Sequence, residues 1–280
     1  MTVHTRRTRL RPTRGSRLRG GVRPRLRAVA VAGAVAAVVA LAGGCGGRAQ
    51  DDEHPDHRTF ELHGKTLTID SNDSALELVP VDGDKVQVTR WFTARVTLGD
   101  DPTTTWSWQD DQLTLRVHCS GLVTSCSAKH RVEVPRDVAV TVRNQDGSVT
   151  ASGFRTALRL HSDDGSLHVE NASGPLELTS KDGSIHAVGL TSRQVRAATD
   201  DGSLELELKE VPDRVDTRTK DGSTTITLPR SSSGGAAAAY HVTAASDDGH
   251  VTVDVPRDAH SPHVVSAHAD DGKVTVRNAN

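Results

Sequence analysis

Aromatic residues make up 2% of this 280-residue chain: three Trp, three Phe and one Tyr. Beyond Cys126 only Phe154 and Tyr240 remain. A sugar-cleaving solenoid needs paired carboxylates in a groove and aromatic platforms for the rings, so that chemistry has no support in the second half of the chain. No Ser nucleophile elbow, no phosphate-cradling Gly loop and no metal-spaced His pair on a helix occurs. The 14 His are scattered without shared spacing. From Val138 onward no helical periodicity is convincing, and Ser231 to Gly235 precedes the Ala run at 236–239, which reads as an inserted loop. The expectation is no enzyme, no catalytic residues, no metal and no cofactor.

What is present is a repeat. Asp-Gly occurs seven times between Asp146 and Asp271, at Asp146, Asp164, Asp182, Asp201, Asp221, Asp248 and Asp271, with an eighth copy at Asp82. Apolar or small residues recur six and four places before each Asp and three and five places after, as in Leu158, Leu160, Asp164, Leu167 and Val169. The Asp-to-Asp spacings are 18, 18, 19, 20, 27 and 23 residues. Short alternating strands at a period near 20 are the signature of stacked coils. Gly takes positive φ freely and Asp bonds its own turn, so each Asp-Gly is a corner. Asp-Gly between alternating strands also marks a hairpin, so an antiparallel meander competes. The repeat length, with a second small-residue corner at Ala151-Ser152-Gly153 and Ala172-Ser173-Gly174, favours the solenoid. The predicted fold is therefore all-β: a β-solenoid (β-helix) of about 20-residue coils with Asp-Gly turns. An irregular β subdomain caps its N-terminal end, because an open coil exposes apolar surface and strand edges.

The first 27 residues hold ten Arg and no acid, and residues 28–44 are almost all Ala, Val, Leu and Gly. This is the pattern of an export signal. It ends at Leu41-Ala42-Gly43-Gly44-Cys45, which resembles the lipobox of bacterial lipoproteins, with Ala42 where Leu is usual. Cys45 is the expected lipidation site. The apolar run from Ala28 to Ala42 is 15 residues, short of the roughly 20 that span a bilayer. Val22 offers an alternative start for so long an n-region. Removing residues 1–44 takes away ten of the 34 basic residues and no acid, leaving 24 against 36, a net charge of −12. That surface repels nucleic acid and anionic headgroups, so membrane attachment must come through the lipid.

Cys119 and Cys126 remain, flanking a Gly-containing loop, and an exported chain makes them a disulfide pair. The organisation read from the sequence is a signal peptide at 1–44, a lipidated Cys and polar tether at 45–58, an N-terminal β subdomain with the disulfide loop at 59–135, and regular solenoid repeats at 136–280. His54, Asp56 and His57 in the tether read as solvated linker. Trp106 and Trp108, two apart, share a strand face.

Leu67-Thr-Ile69, Leu76 through Val86 with its Asp82-Gly83, the Cys pair, Val132-Glu-Val134-Pro135 and the Asp-Gly-Ser coils together resemble the bacterial putative-adhesin domain of unknown function, over roughly Thr59 to Asn280. The resemblance implies a β-solenoid on the outer side of the cell envelope, often a lipoprotein in high-GC Gram-positive bacteria. It implies no catalytic residues.

Doubled acids precede Gly at Asp163-Asp164, Asp200-Asp201, Asp247-Asp248 and Asp270-Asp271. Stacked in register they would form an acidic ladder, interrupted where Lys181 and Lys220 occupy the first position. Turn chemistry accounts for them better than a calcium site. The expected function is a lipid-anchored, non-catalytic envelope module at the outer face of the cytoplasmic membrane, binding a cell-wall or surface macromolecule or acting as a spacer. The alternatives are a glycan-processing enzyme built on Trp91, Trp106 and Trp108, and an accessory of envelope-stress signalling.

Overall fold

Apolar side chains at every second position can be buried only if each strand lays one face on a core, and this alternation runs through the whole protein. The computed structural model describes residues 49–279 apart from Leu98, Leu122, Val123 and Ser233. The chain enters through a short 3-10 turn, Ala49–Asp51, followed by β1 (Asp56–Glu61), β2 (Thr66–Val81) and β3 (Lys85–Val96). Next come β4 (Thr103–Gln109), β5 (Gln112–His118) and β6 (Thr124–Pro135). Five regular coils follow as strand pairs, beginning with β7 (Ala139–Asp146) and β8 (Val149–Ser152), β9 (Leu158–Ser162) and β10 (Leu167–Glu170), and β11 (Leu176–Ser180) and β12 (Ile185–Leu190). The series continues with β13 (Gln194–Asp201) and β14 (Leu204–Leu208), then β15 (Arg214–Asp221) and β16 (Thr224–Leu228). Two long strands end it, β17 (His241–Asp254) and β18 (Val264–Asn278).

From Asp146 onward, the strands flanking each Asp-Gly pair with the neighbouring coils, in parallel. Leu158 pairs with Val140 and with Leu176, and Leu167 with Val149 and Ile185. A meander would pair them antiparallel across the corner, so the fold is a β-solenoid. One sheet runs β2, β7, β9, β11, β13, β15 through their first halves, and the other runs β2, β8, β10, β12, β14, β16. β2 belongs to both because it bends at Asp73, which pairs with Asp146 without a glycine. Between the sheets lies one core in which Leu67, Leu78, Leu158, Leu167, Leu178, Leu206 and Val276 are fully buried. Phe154 and Ala172 stack at the second corner, where the Ser173 amide donates to the Phe154 carbonyl.

Coil order in space departs from coil order in sequence at the C-terminal end. β18, not β17, pairs with β15 and β16, and β17 pairs with β18 along its outer side. The 27-residue spacing thus marks more than an inserted loop. Residues 229–240 carry the chain past one empty level, and the last coil returns to fill it. Tyr240 anchors this crossing, fully buried with its hydroxyl donating to the Pro229 carbonyl, and burial pushes its pKa up to about 12.

The N-terminal end is closed differently. β5 joins β2 in parallel and β4 folds back antiparallel on β5, while β6, β3 and β1 extend the other sheet. The subdomain expected at 59–135 is therefore continuous with the stack: β2 is a complete first coil, and no sheet boundary falls at 135. The tether also needs correction. Ala49 is buried, the Asp52 carboxylate accepts from the Phe92 amide, and β1 begins at Asp56, so residues 49–58 lie on the domain. Backbone pairing along the β3 edge is what draws them in.

Corner glycines set the coil spacing. A Cβ built on Gly165 would lie 1.9 Å from the Gly147 carbonyl oxygen, which is backbone and cannot step aside. At Gly234, in the crossing segment, the nearest atom to such a Cβ is 3.9 Å away. Gly165→Ala is expected to destabilise the fold by about 2–4 kcal/mol, whereas Gly234→Ala stays within about 0.5 kcal/mol in denaturant unfolding.

Candidate functional site

The longest continuous chemical feature is the Asp-Gly corner. Register stacks one Asp per coil, and strand spacing of about 4.8 Å then fixes the distance between like charges. Pairing places Asp73 beside Asp146, Asp201 beside Asp221, Asp221 beside Asp271 and Asp271 beside Asp248. Asp164 and Asp182 fill the levels between, each amide donating to the coil before it. Partial desolvation, then the neighbouring carboxylates, raise the pKa of Asp164, Asp201 and Asp271 above the ordinary aspartate value. Asp146 is raised likewise, by desolvation and by Asp73.

The sequence reading had Lys181 and Lys220 interrupting this ladder. In the structure they hold that first position, which forms a second file of its own, and the file of Asp immediately before Gly is unbroken. In the second file Lys181 bonds Asp163 at 2.5 Å and Lys220 bonds Asp200 at 2.6 Å. The Asp163 pKa is lowered, chiefly by its hydrogen bond from Lys181.

A third file, inside the corner, was not singled out from the sequence. Asn144, Ser162, Ser180, Thr199 and Thr219 are buried two residues before each Asp. The Ser180 hydroxyl donates to the Gly165 carbonyl at 3.1 Å, Thr199 to Gly183 at 2.9 Å, and Ser246 to Gly272 at 2.9 Å. The Gly165 amide in turn donates to Ser162 Oγ at 3.0 Å. Each bond satisfies a backbone group that the tight corner would otherwise leave unpaired, contributing about 1 kcal/mol. The signal was available: a short polar residue recurs two places before Asp-Gly in coil after coil.

Cys45 and the expected signal segment lie outside the described residues. The sulfurs of Cys119 and Cys126 are at disulfide-bonding distance, with their Cα atoms 6.4 Å apart. The three Trp do not form one platform. Trp106 is buried, with the guanidinium carbons of Arg58 and Arg90 4.7 and 4.4 Å from its ring centre. Trp108 stacks on Phe60 at 5.0 Å, and Trp91 carries Lys129 over its ring. His130 packs against the Trp106 edge, and neither of its ring nitrogens has a hydrogen-bond partner among the described residues. Burial, then the Arg90 charge, depresses its pKa to about 3, so it is neutral. In the expected tether, Asp56 is engaged by Arg90 and His57 by Thr89. Among the described residues no helix is long and apolar enough to cross a membrane.

The corner carboxylates make a pH prediction. With a raised folded-state pKa, Asp201 binds its proton more tightly in the folded than in the unfolded chain, so its contribution to stability falls as pH rises through that pKa. Asp201→Asn should therefore raise the melting temperature at neutral pH and lose that advantage in acid. In a carboxyl-detected NMR titration, Asp201 should titrate above, and Asp163 below, an ordinary aspartate.

The sequence profile of the Toastrack DUF4097 family matches residues 51–278. No curated protein matches the chain. Solved structures with similarity to it include a "putative adhesin" from Bacteroides fragilis NCTC 9343, at 14% identity and TM-score 0.44, covering 81% of this chain and 98% of that one. A "putative cell adhesion protein" from Clostridium sporogenes ATCC 15579 has 11% identity and TM-score 0.32, covering 81% and 100%. A "putative adhesin" from Parabacteroides merdae ATCC 43184 has 10% identity and TM-score 0.29, covering 81% and 97%. With the match spanning the coils, the corners and the N-terminal cap alike, the chain belongs to the Toastrack DUF4097 family.

Proposed function

We propose that this protein is a lipid-anchored, non-catalytic module of the cell envelope, held through Cys45 at the outer face of the cytoplasmic membrane and binding a cell-wall or surface macromolecule with its flat faces. The observation that carries this reading is the in-register rows on those faces. On one sheet Thr141, Arg159, Glu177, Arg196 and Asp216 lie side by side, one per coil, and Arg159 bonds Glu177 at 2.9 Å. A row of alternating charge about 4.8 Å per step is a rigid, repeating template of the kind suited to a repeating polymer. From β2 to β17 the stack makes seven such steps, roughly 34 Å of stiff surface.

The net charge of −12 after removal of residues 1–44 supports a partner other than nucleic acid. The glycan-processing alternative loses its platform, because Trp106 is occupied on its ring by two arginines and Trp108 by Phe60. The names of the similar solved structures point the same way as adhesion but are said of those proteins.

Two measurements test the proposal. The native chain should enter the detergent phase on phase partition and Cys45→Ser should stay in the aqueous phase; native protein in the aqueous phase would remove the anchor. Co-sedimentation with isolated cell walls should saturate, and a linear or absent response would remove the binding role and leave a spacer.

A further inference from the structure

In the outward file one residue before each corner Asp, the spatial order is Asp163, Lys181, Asp200, Lys220, Asp270, Asp247. The signs alternate along the stack, and the ion pairs Lys181–Asp163 and Lys220–Asp200 are the result. The alternation fails once, where Asp270 of β18 faces Asp247 of β17. Two carboxylates on adjacent strands with no cation between them repel, and the pairing that brings them together is fixed by thirteen matched residues of backbone register.

At that break stands His268 of β18. Its Nε2 lies 3.1 Å from Asp270 Oδ1 and 4.0 Å from Asp247 Oδ2, and the three ligand atoms fall within 4.8 Å of one another. Two donors on one tetrahedral ion with bonds of about 2.0–2.1 Å stand about 3.3 Å apart. The first distance already fits. The second needs a small turn of Asp247, whose side chain is 71% exposed and free to make it. Arg218 also reaches Asp270 Oδ1, at 3.2 Å, and would share that oxygen with the ion.

We propose that Asp247, His268 and Asp270 bind a divalent ion of the zinc class, which joins the outermost coil to its neighbour. The imidazole nitrogen selects such an ion over calcium or magnesium, which take oxygen donors. The structural consequence follows from the position of β17. Its inward residues Val242, Ala244, Val251 and Val253 are only partly buried, and it pairs with β18 alone among the described strands. Side-chain packing therefore holds this coil weakly, and a bridging ion would supply a second attachment. The inference is independent of wall binding and stands whether or not that reading holds.

The test uses the full chain, without a polyhistidine tag, purified in detergent and stripped with EDTA. Zinc titrated calorimetrically at mildly alkaline pH should bind at one equivalent. His268→Gln and Asp247→Asn should each weaken binding by about tenfold or more. His186→Gln, on the other sheet beside His168 and Glu205, should leave it unchanged. Zinc, and not calcium, should slow amide exchange across His241–Asp254. Absence of saturable binding up to millimolar zinc, or binding that survives His268→Gln, would overturn the proposal. Loss in His186→Gln would also overturn it by placing the ion on the other face. Should His268→Gln alter the circular dichroism spectrum, the exposed Asp247→Asn decides.

Discussion

The approach of one corner glycine to the carbonyl of the next is the constraint on which the rest of this protein depends. Gly165 sits against Gly147, Gly183 against Gly165, Gly202 against Gly183 and Gly222 against Gly202, with no room for a Cβ at any of them. Contact at that range fixes the coil spacing and forbids a slip of register, since a shift of one residue would turn every inward Leu and Val outward. It also forces the preceding Asp of every coil into one file, where desolvation and mutual repulsion act against folding. What offsets this is local. The buried hydroxyl file bonds the corner carbonyls, and the neighbouring file alternates acid with lysine. The corner is thus three parallel files with three tasks: one inside that satisfies backbone, one at the turn that bends it, and one outside that balances charge.

A stack of identical coils has no internal reason to stop, and the two ends solve this in different ways. At the N-terminal end the sheets continue as antiparallel strands, and the buried Trp106 has the Arg58 and Arg90 guanidinium groups over its ring and His130 at its edge. A charged group turned inward at a sheet end, as Arg90 is, opposes edge-to-edge association. At the C-terminal end the chain builds the outermost coil before the one beneath it, so that β18 is inserted between β16 and β17. Insertion leaves the final strand paired on both sides and hands the free edge to β17, which carries Asp247, Asp248 and Asp254.

Much of this was legible in the sequence, for a physical reason. Period-2 alternation and a Gly-dependent corner are both local properties, and their repetition multiplies a weak signal. The inward positions six and four before and three and five after each Asp are the buried ones, as Leu158, Leu160, Leu167 and Val169 show. What escaped was non-local. Nothing within 20 residues of Asp248 states that its neighbour in space is Asp271 and not Asp221, because both pairings present the same faces to each other. Residues 49–58 looked like a tether because their polar side chains carry no core pattern; the backbone edge of β3 binds them, and backbone pairing leaves no mark in side-chain composition. The hydroxyl file was missed because Ser and Thr inside a strand read as neutral unless their recurrence is compared across coils.

The central claim is an in-register parallel stack whose last two coils are exchanged, and inter-coil distances test it most directly. Thr150, Thr225, Thr275 and Thr252 lie in one outward row on the second sheet, in that spatial order. Spin labels paired between Thr150 and each of the others should give separations of about 19, 24 and 29 Å for Thr225, Thr275 and Thr252, rising by one strand spacing per coil. A shorter distance to Thr252 than to Thr275, or distances that fail to rise in equal steps, would contradict the account.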